Sequence, residues 1–186
     1  DFAVWCSYKY LNSGPGALGG CFVHERHHRD GSLPRFAGWW GQNKTTRFQM
    51  GPIFDPIPTV ESWQLSNPPI FQLAAMRASF EIFDSATLPR LRQKSVSLIG
   101  LLERLLKAAP AIGVVTPAEP GRRGSHLSLR TPGRPKDWVE RLEKRGIVAD
   151  AREPDILRVA TAPLYTRHED VVELARAITE ISEAGA

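Results

Sequence analysis

The sequence predicts an α/β fold, and three patterns predict it. Two short apolar runs, residues 2 to 7 and 19 to 24, flank a loop holding Gly14, Gly16, Gly19 and Gly20. Two longer stretches, opening after Ser66 and after Thr87, place apolar residues at helical spacing. From residue 111 onward, short apolar runs alternate with amphipathic stretches, as in a small α/β unit.

The first run, Phe2 to Ser7, is apolar and aromatic and suits a buried strand. It stops at Tyr8-Lys9-Tyr10, the chain turns through the glycines, and Cys21-Phe22-Val23 resumes as a second strand. A lysine at the end of a buried strand, facing a glycine loop, can sit partly desolvated. Desolvation favours the neutral amine, the form that makes a Schiff base. The glycines let the backbone approach a bulky ligand. The same residues also describe a solvated lysine between two half-buried aromatics, followed by an ordinary turn.

His24-Glu25-Arg26-His27-His28 follows, and its spacing gives no clear metal-ligand set, so it reads as a solvated turn. Residues 30 to 66 are punctuated by Gly31, Pro34, Gly38, Gly41, Gly51, Pro52, Pro56 and Pro58. The aromatics Phe36, Trp39, Trp40, Phe48, Phe54 and Trp63 argue against disorder there. Trp39 is either an aromatic anchor or an indole N–H donor to a phosphate.

Ser66-Asn67-Pro68-Pro69 reads as a helix start with Asn67 as a plain N-cap, and the helix runs through Phe83. Such a start is also where a polar group or anion can be held. Thr87-Leu88-Pro89 opens a longer helix, with Leu88, Leu91, Ser95, Leu98, Ile99, Leu102, Leu105 and Leu106 on one face. Pro110 ends it. Strands are expected at 112–116, 126–130, 147–149 and 157–160, a helix at 135–145 closed by Gly146, and a last amphipathic helix at 167–184. Arg158 lies inside the apolar strand Ile156-Leu157-Arg158-Val159-Ala160. It is either an edge arginine pointing to water or a bidentate clamp on a carboxylate.

The composition is that of a globular protein: 186 residues, 42% hydrophobic and 24% charged, with a net charge of +4. Its charges are scattered rather than gathered, which speaks against nucleic-acid binding. Cys6 and Cys21 form no disulfide framework, and both lie in apolar runs that predict buried thiols in a reducing compartment. No apolar stretch reaches the roughly 18 residues of a membrane span, and no signal peptide is visible, so the expectation is a cytoplasmic protein without membrane or metal.

Trp5-Cys6-Ser7-Tyr8-Lys9-Tyr10-Leu11-Asn12, followed by Gly14-Pro15-Gly16, resembles the cofactor-lysine segment of kynureninase, a pyridoxal 5'-phosphate enzyme of fold type I. Gly38-Trp39-Trp40-Gly41, Thr46-Arg47-Phe48-Gln49-Met50, Ser66-Asn67-Pro68-Pro69-Ile70 and Ile156 to Tyr165 resemble that family in the same order. The resemblance implies the C-terminal portion of such an enzyme. Residues 1–86 would end the large cofactor-binding domain and its sheet, 87–109 would be a linking helix, and 110–186 a small α/β domain. Lys9 would hold pyridoxal phosphate. Tyr8 would contact its phosphate and help in proton transfer, Trp39 would reach the phosphate across a dimer interface, Asn67 would lie near the cofactor and the substrate ring, and Arg158 would grip the substrate carboxylate. The implied reaction is cleavage of L-kynurenine or 3-hydroxy-L-kynurenine by a homodimer. The aspartate facing the pyridine nitrogen, the ring stacked on the cofactor and further phosphate ligands are expected in an N-terminal half, and none is present in this sequence. The alternatives are an inactive fragment or split half that leaves a sheet edge and an apolar face uncovered, and another fold-type-I enzyme such as a desulfurase or lyase.

Overall fold

A computed structural model describes residues 1–184. They divide into two compact units, 1–85 and 86 onward.

The first unit opens on an antiparallel hairpin of β1 (Phe2–Cys6) and β2 (Gly19–Val23), in register from Phe2 opposite Val23 to Cys6 opposite Gly19. Both expected strands are there, but the first is not buried. Phe2, Val4 and Trp5 are exposed, as is Phe22 across from them, with Val4 at 83%. Successive strand residues face opposite sides, and the ribbon is packed only in part: Phe2 stacks on His27 at 5.1 Å and meets Trp63 edge-on at 5.8 Å, and Val23 is buried. For the same reason the expected buried thiols are not found: Cys6 is half-buried and Cys21 exposed.

Residues 24 to 69 are irregular apart from short 3-10 turns at Glu25–His27 and Val60–Trp63 and one bridge between Gln42 and Pro56. Helix α1 (Ile70–Ala86) closes the unit and buries only Met76 and Ser79. It starts later than the Asn67 cap predicts. The residue before a proline is pushed out of the helical region, so Asn67 and Pro68 are both held extended by the prolines after them. The first helical bond is Leu73 N–H to the Pro69 carbonyl at 3.1 Å, which makes Pro69 the cap.

The second unit is a two-layer α/β sandwich. Helix α2 (Leu88–Leu105) leads into β3 (Gly113–Val114), β4 (His126–Arg130), α3 (Pro135–Glu143), β5 (Asp150–Arg152), β6 (Ile156–Ala160) and α4 (His168–Ala184). The strands form one antiparallel sheet in the order β3-β4-β6-β5. Leu127, Leu129, Leu157 and Val159 turn into a core with Leu98, Ile99 and Leu102 of α2, Trp138 and Leu142 of α3, and Ile178 and Ile181 of α4. Each fully buried leucine there contributes about 1.5–3 kcal/mol relative to exposure.

The α2 stripe is buried at Leu91, Ser95, Leu98, Ile99 and Leu102, while its first member, Leu88, is exposed. Gly146 has φ 76°, the left-handed conformation expected past a helix end. The expected strand at 147–149 is not formed; the strand begins at the next residue, and Asp150–Arg152 pairs with β6 on the side away from β4. The side chain of Arg123, in the loop before β4, is buried. Its guanidinium is 6% exposed and forks onto Glu103 at 2.5 and 2.8 Å, which ties the loop before β4 to α2.

Candidate active site

The Lys9 loop is held at both ends. The Ser7 N–H donates to the Leu18 carbonyl at 3.3 Å, and the Ser13 N–H to the Ser7 carbonyl at 3.0 Å. The Asn12 N–H closes a turn onto the Lys9 carbonyl at 3.0 Å. Asn12, Gly14 and Gly16 take positive φ, which is why glycines follow the lysine here. From α1, the Ser79 hydroxyl donates to the Leu11 carbonyl and pins the loop to the helix.

Lys9 itself is exposed, its ammonium 5.9 Å from the centre of the Tyr8 ring. This differs from the desolvated amine expected at the end of a buried strand, because β1 is itself exposed from Phe2 to Trp5. Tyr8 is 48% exposed, and the Cys6 thiol donates to its hydroxyl at 3.4 Å. The phenol is pushed above its usual range, chiefly by its interaction with Cys6 and then by desolvation. It therefore stays protonated at neutral pH and is available as a donor. Between β1 and Tyr8, Ser7 is fully buried and its Oγ has no hydrogen-bond partner among the described residues.

Trp39 sits in an aromatic cluster, 5.4 Å from Trp40 and 6.2 Å from Phe48 between ring centres. The Arg47 guanidinium lies over both indoles, at 5.5 and 4.9 Å, and donates to the carbonyls of Trp40 at 2.6 Å and Gln42 at 3.3 Å. Its Nε is buried with no hydrogen-bond partner among the described residues. Trp39, Arg47, Met50 and Phe54 line a pocket of about 330 Å³. The turn that carries Trp39 packs on the chain leading to Asn67. A side chain at Gly38 would meet the Leu65 backbone at 2.3 Å, so only glycine fits there. Asn67, two residues past Leu65, is exposed.

Arg158 belongs to the second unit. It lies on the sheet face opposite the core, directly across from Asp150 of β5, and its Nη2 donates to that carboxylate. Its side chain is 40% exposed. Nearby on the same face is His126, whose imidazole is held below its usual range, first by burial and then by the Arg158 charge. A depressed histidine costs the fold nothing while it is neutral in both states. Below its unfolded value of about 6.5 the unfolded chain takes up a proton that the fold resists. The second unit should therefore lose stability as pH falls from about 6.5 toward the lowered folded value. Thermal melts between pH 7.5 and 5.5 would show a falling midpoint, flatter in His126→Gln. An unchanged slope in that variant would assign the effect to other groups.

Thus the structure sets Tyr8 and Lys9 side by side, packs the Trp39 turn against the segment before Asn67, and puts Arg158 on a polar sheet face. Three partners were not anticipated: Cys6 on Tyr8, Arg47 on Trp39, and Asp150 on Arg158. Arg47 lies within Thr46–Met50, a stretch the family resemblance already includes, so the sequence carries a signal for it. The Asp150 pairing exists only through strand register. Among the described residues, no group of three or more His, Cys, Asp or Glu could hold a metal ion, and no helix is long and apolar enough to cross a membrane.

Residues 91–178 match the kynureninase C-terminal domain. A kynureninase of Myxococcus xanthus is 57% identical over 180 residues, 96% of this chain and 42% of that protein. One from Stenotrophomonas maltophilia is 56% identical over 176 residues, 92% of this chain and 42% of that protein. The chain belongs to the kynureninase family. It spans about two-fifths of the length of these curated kynureninases and corresponds to their C-terminal portion. The cysteine desulfurase of Thermococcus onnurineus NA1, solved in its apo form, superposes with a TM-score of 0.81 at 15% identity, over 99% of this chain and 47% of that one. A cystine C-S lyase, solved with its product cysteine persulfide, gives 0.76 at 18% identity, over 97% and 46%. At these identities the likeness carries the fold alone: a mixed α/β chain of the fold-type-I kind, as the kynureninase resemblance implied.

Proposed function

We propose that this chain supplies the cofactor lysine and the carboxylate-binding arginine of a kynureninase. The reaction is hydrolytic cleavage of the Cβ–Cγ bond of L-kynurenine or 3-hydroxy-L-kynurenine, giving anthranilate or 3-hydroxyanthranilate and L-alanine. The observation that carries this reading is the Lys9 loop: an exposed primary amine beside a protonated phenol, on a segment fixed at both ends and by Ser79.

The donor set fits pyridoxal phosphate. Lys9 offers an amine for an aldehyde, and Tyr8, Trp39 and Asn67 offer O–H and N–H donors suited to phosphate and ring substituents. When bound, that group supplies an electron sink for bonds at the substrate's α- and β-carbons. Lys9 would be the base that takes the α-proton, and Tyr8 would hold a proton at its hydroxyl for transfer during cleavage. Arg158 would grip the α-carboxylate through two parallel N–H bonds and so fix which bond reacts. Asn67 would meet the substrate's aromatic ring. In this reading residues 1–86 end the large domain, 87–109 link it to a small domain at 110–186, and the enzyme works as a cytoplasmic homodimer in tryptophan catabolism toward NAD.

A desulfurase or lyase activity is favoured only by the fold, at 15–18% identity, against 57% for a kynureninase. The chain with pyridoxal phosphate should be assayed on kynurenine, 3-hydroxykynurenine and cysteine, alone and mixed with the remaining N-terminal part of a kynureninase relative. Anthranilate or 3-hydroxyanthranilate formation is expected in the mixture, with no sulfide from cysteine. Sulfide release without kynurenine cleavage would overturn the assignment. A need for the mixture would mark the chain as one half of a split enzyme.

A further inference from the structure

The outer face of the second unit's sheet is built by strand alternation. Leu127, Leu129, Leu157 and Val159 turn inward, so His126, Ser128 and Arg158 share the other side with Asp150 and Arg152 of β5. On this face one carboxylate serves two guanidinium groups. Asp150 Oδ1 accepts from Arg152 Nη1 at 2.6 Å, and Oδ2 accepts from Arg158 Nη2. Both oxygens are committed, so the carboxylate is itself held in place. The bond to Asp150 uses Nη2 alone, and a guanidinium carries five N–H groups in a fixed fork.

We propose that Asp150 is a positioning residue, fixing the Arg158 guanidinium in the orientation that accepts an amino-acid carboxylate. This rests on Arg158 being the carboxylate clamp of the proposed function. A long arginine side chain, 40% exposed on a strand, otherwise samples many rotamers, and binding must then meet the ordering cost. Asp150 sits on the directly opposing residue of β5, so strand pairing fixes its distance from Arg158. Two effects of removing its charge oppose each other. Loss of a nearby negative charge makes the face more attractive to an anion, while loss of the held orientation makes binding weaker. Orientation wins, so removing the charge weakens binding.

The test is a titration of the full chain, labelled with 15N-arginine, with L-kynurenine and with kynuramine, which lacks the carboxylate. The Arg158 Nε–H signal is assigned by its absence in Arg158→Lys. In the wild type it should shift saturably with kynurenine and not with kynuramine. Asp150→Asn should weaken that affinity about tenfold, the scale of ordering one long side chain, and narrow the Arg158 signal through faster rotation. Its thermal midpoint should stay near wild type, and Asp150→Glu should recover part of the affinity. Asp150→Asn binding as tightly as wild type, or more tightly, overturns the role of Asp150 and leaves Arg158 as the clamp. A wild-type Arg158 signal indifferent to kynurenine overturns both.

Discussion

Lys9→Ala is expected to remove the whole of the visible absorption band that the purified chain develops with pyridoxal phosphate. The chain has five other lysines, at positions 44, 94, 107, 136 and 144, and these serve as an internal control. If the cofactor reacted with any accessible amine, the variant would keep most of the band. If it reacts at the loop fixed by Ser7, Ser13 and Ser79, the variant loses nearly all of it. The loop's anchors are backbone groups and a serine from α1, none of which depends on the lysine side chain, so the variant should fold as the parent does. Matching circular dichroism spectra would check that. Indistinguishable absorption spectra would mean that this chain holds no cofactor through Lys9 by itself.

The second large effect concerns stability. Leu157 is fully buried in β6, the strand between β4 and β5, and faces the core shared by α2, α3 and α4. Leu157→Ala removes that packing and leaves a cavity whose walls belong to rigid strands and helices. The expected cost is about 3 kcal/mol, within the range for buried leucine truncations. Urea unfolding followed by amide exchange in β4 and α4 should register it as a lower midpoint. The same truncation at Leu88, 67% exposed at the start of α2, should cost little. Equal losses at both positions would contradict the assigned core.

Much of the second unit was legible because its elements carry their own signals. The α2 stripe, β4 at 126–130, β6 and the Gly146 stop each follow from residues within the element. The exception, β5, is Asp-Ala-Arg, with no β-branched or aromatic residue. It becomes a strand because it pairs with β6 and its charges meet Arg158, which no local pattern records. The neighbouring Ile147 and Val148 look more strand-like and are not one. In the first unit, apolar character located β1 and misjudged its burial, since burial depends on a second layer. For the candidate site, residue types singled out Lys9, Trp39 and Arg158, and the kynureninase resemblance added Tyr8 and Asn67. The contacts that orient them came only from loop closure and strand register: Cys6 on Tyr8, Arg47 over Trp39, Asp150 on Arg158.

The hairpin sets how the chain must be handled. A ribbon with Phe2, Val4, Trp5 and Phe22 in water is sticky along both its flat sides. Such a ribbon is the kind of segment that molecular chaperones hold during synthesis. Overproduced alone, the chain should collect in inclusion bodies, coat hydrophobic resins and bind amphiphilic dyes. Charged residues at Val4 and Phe22 would keep it in solution while leaving the lysine loop untouched.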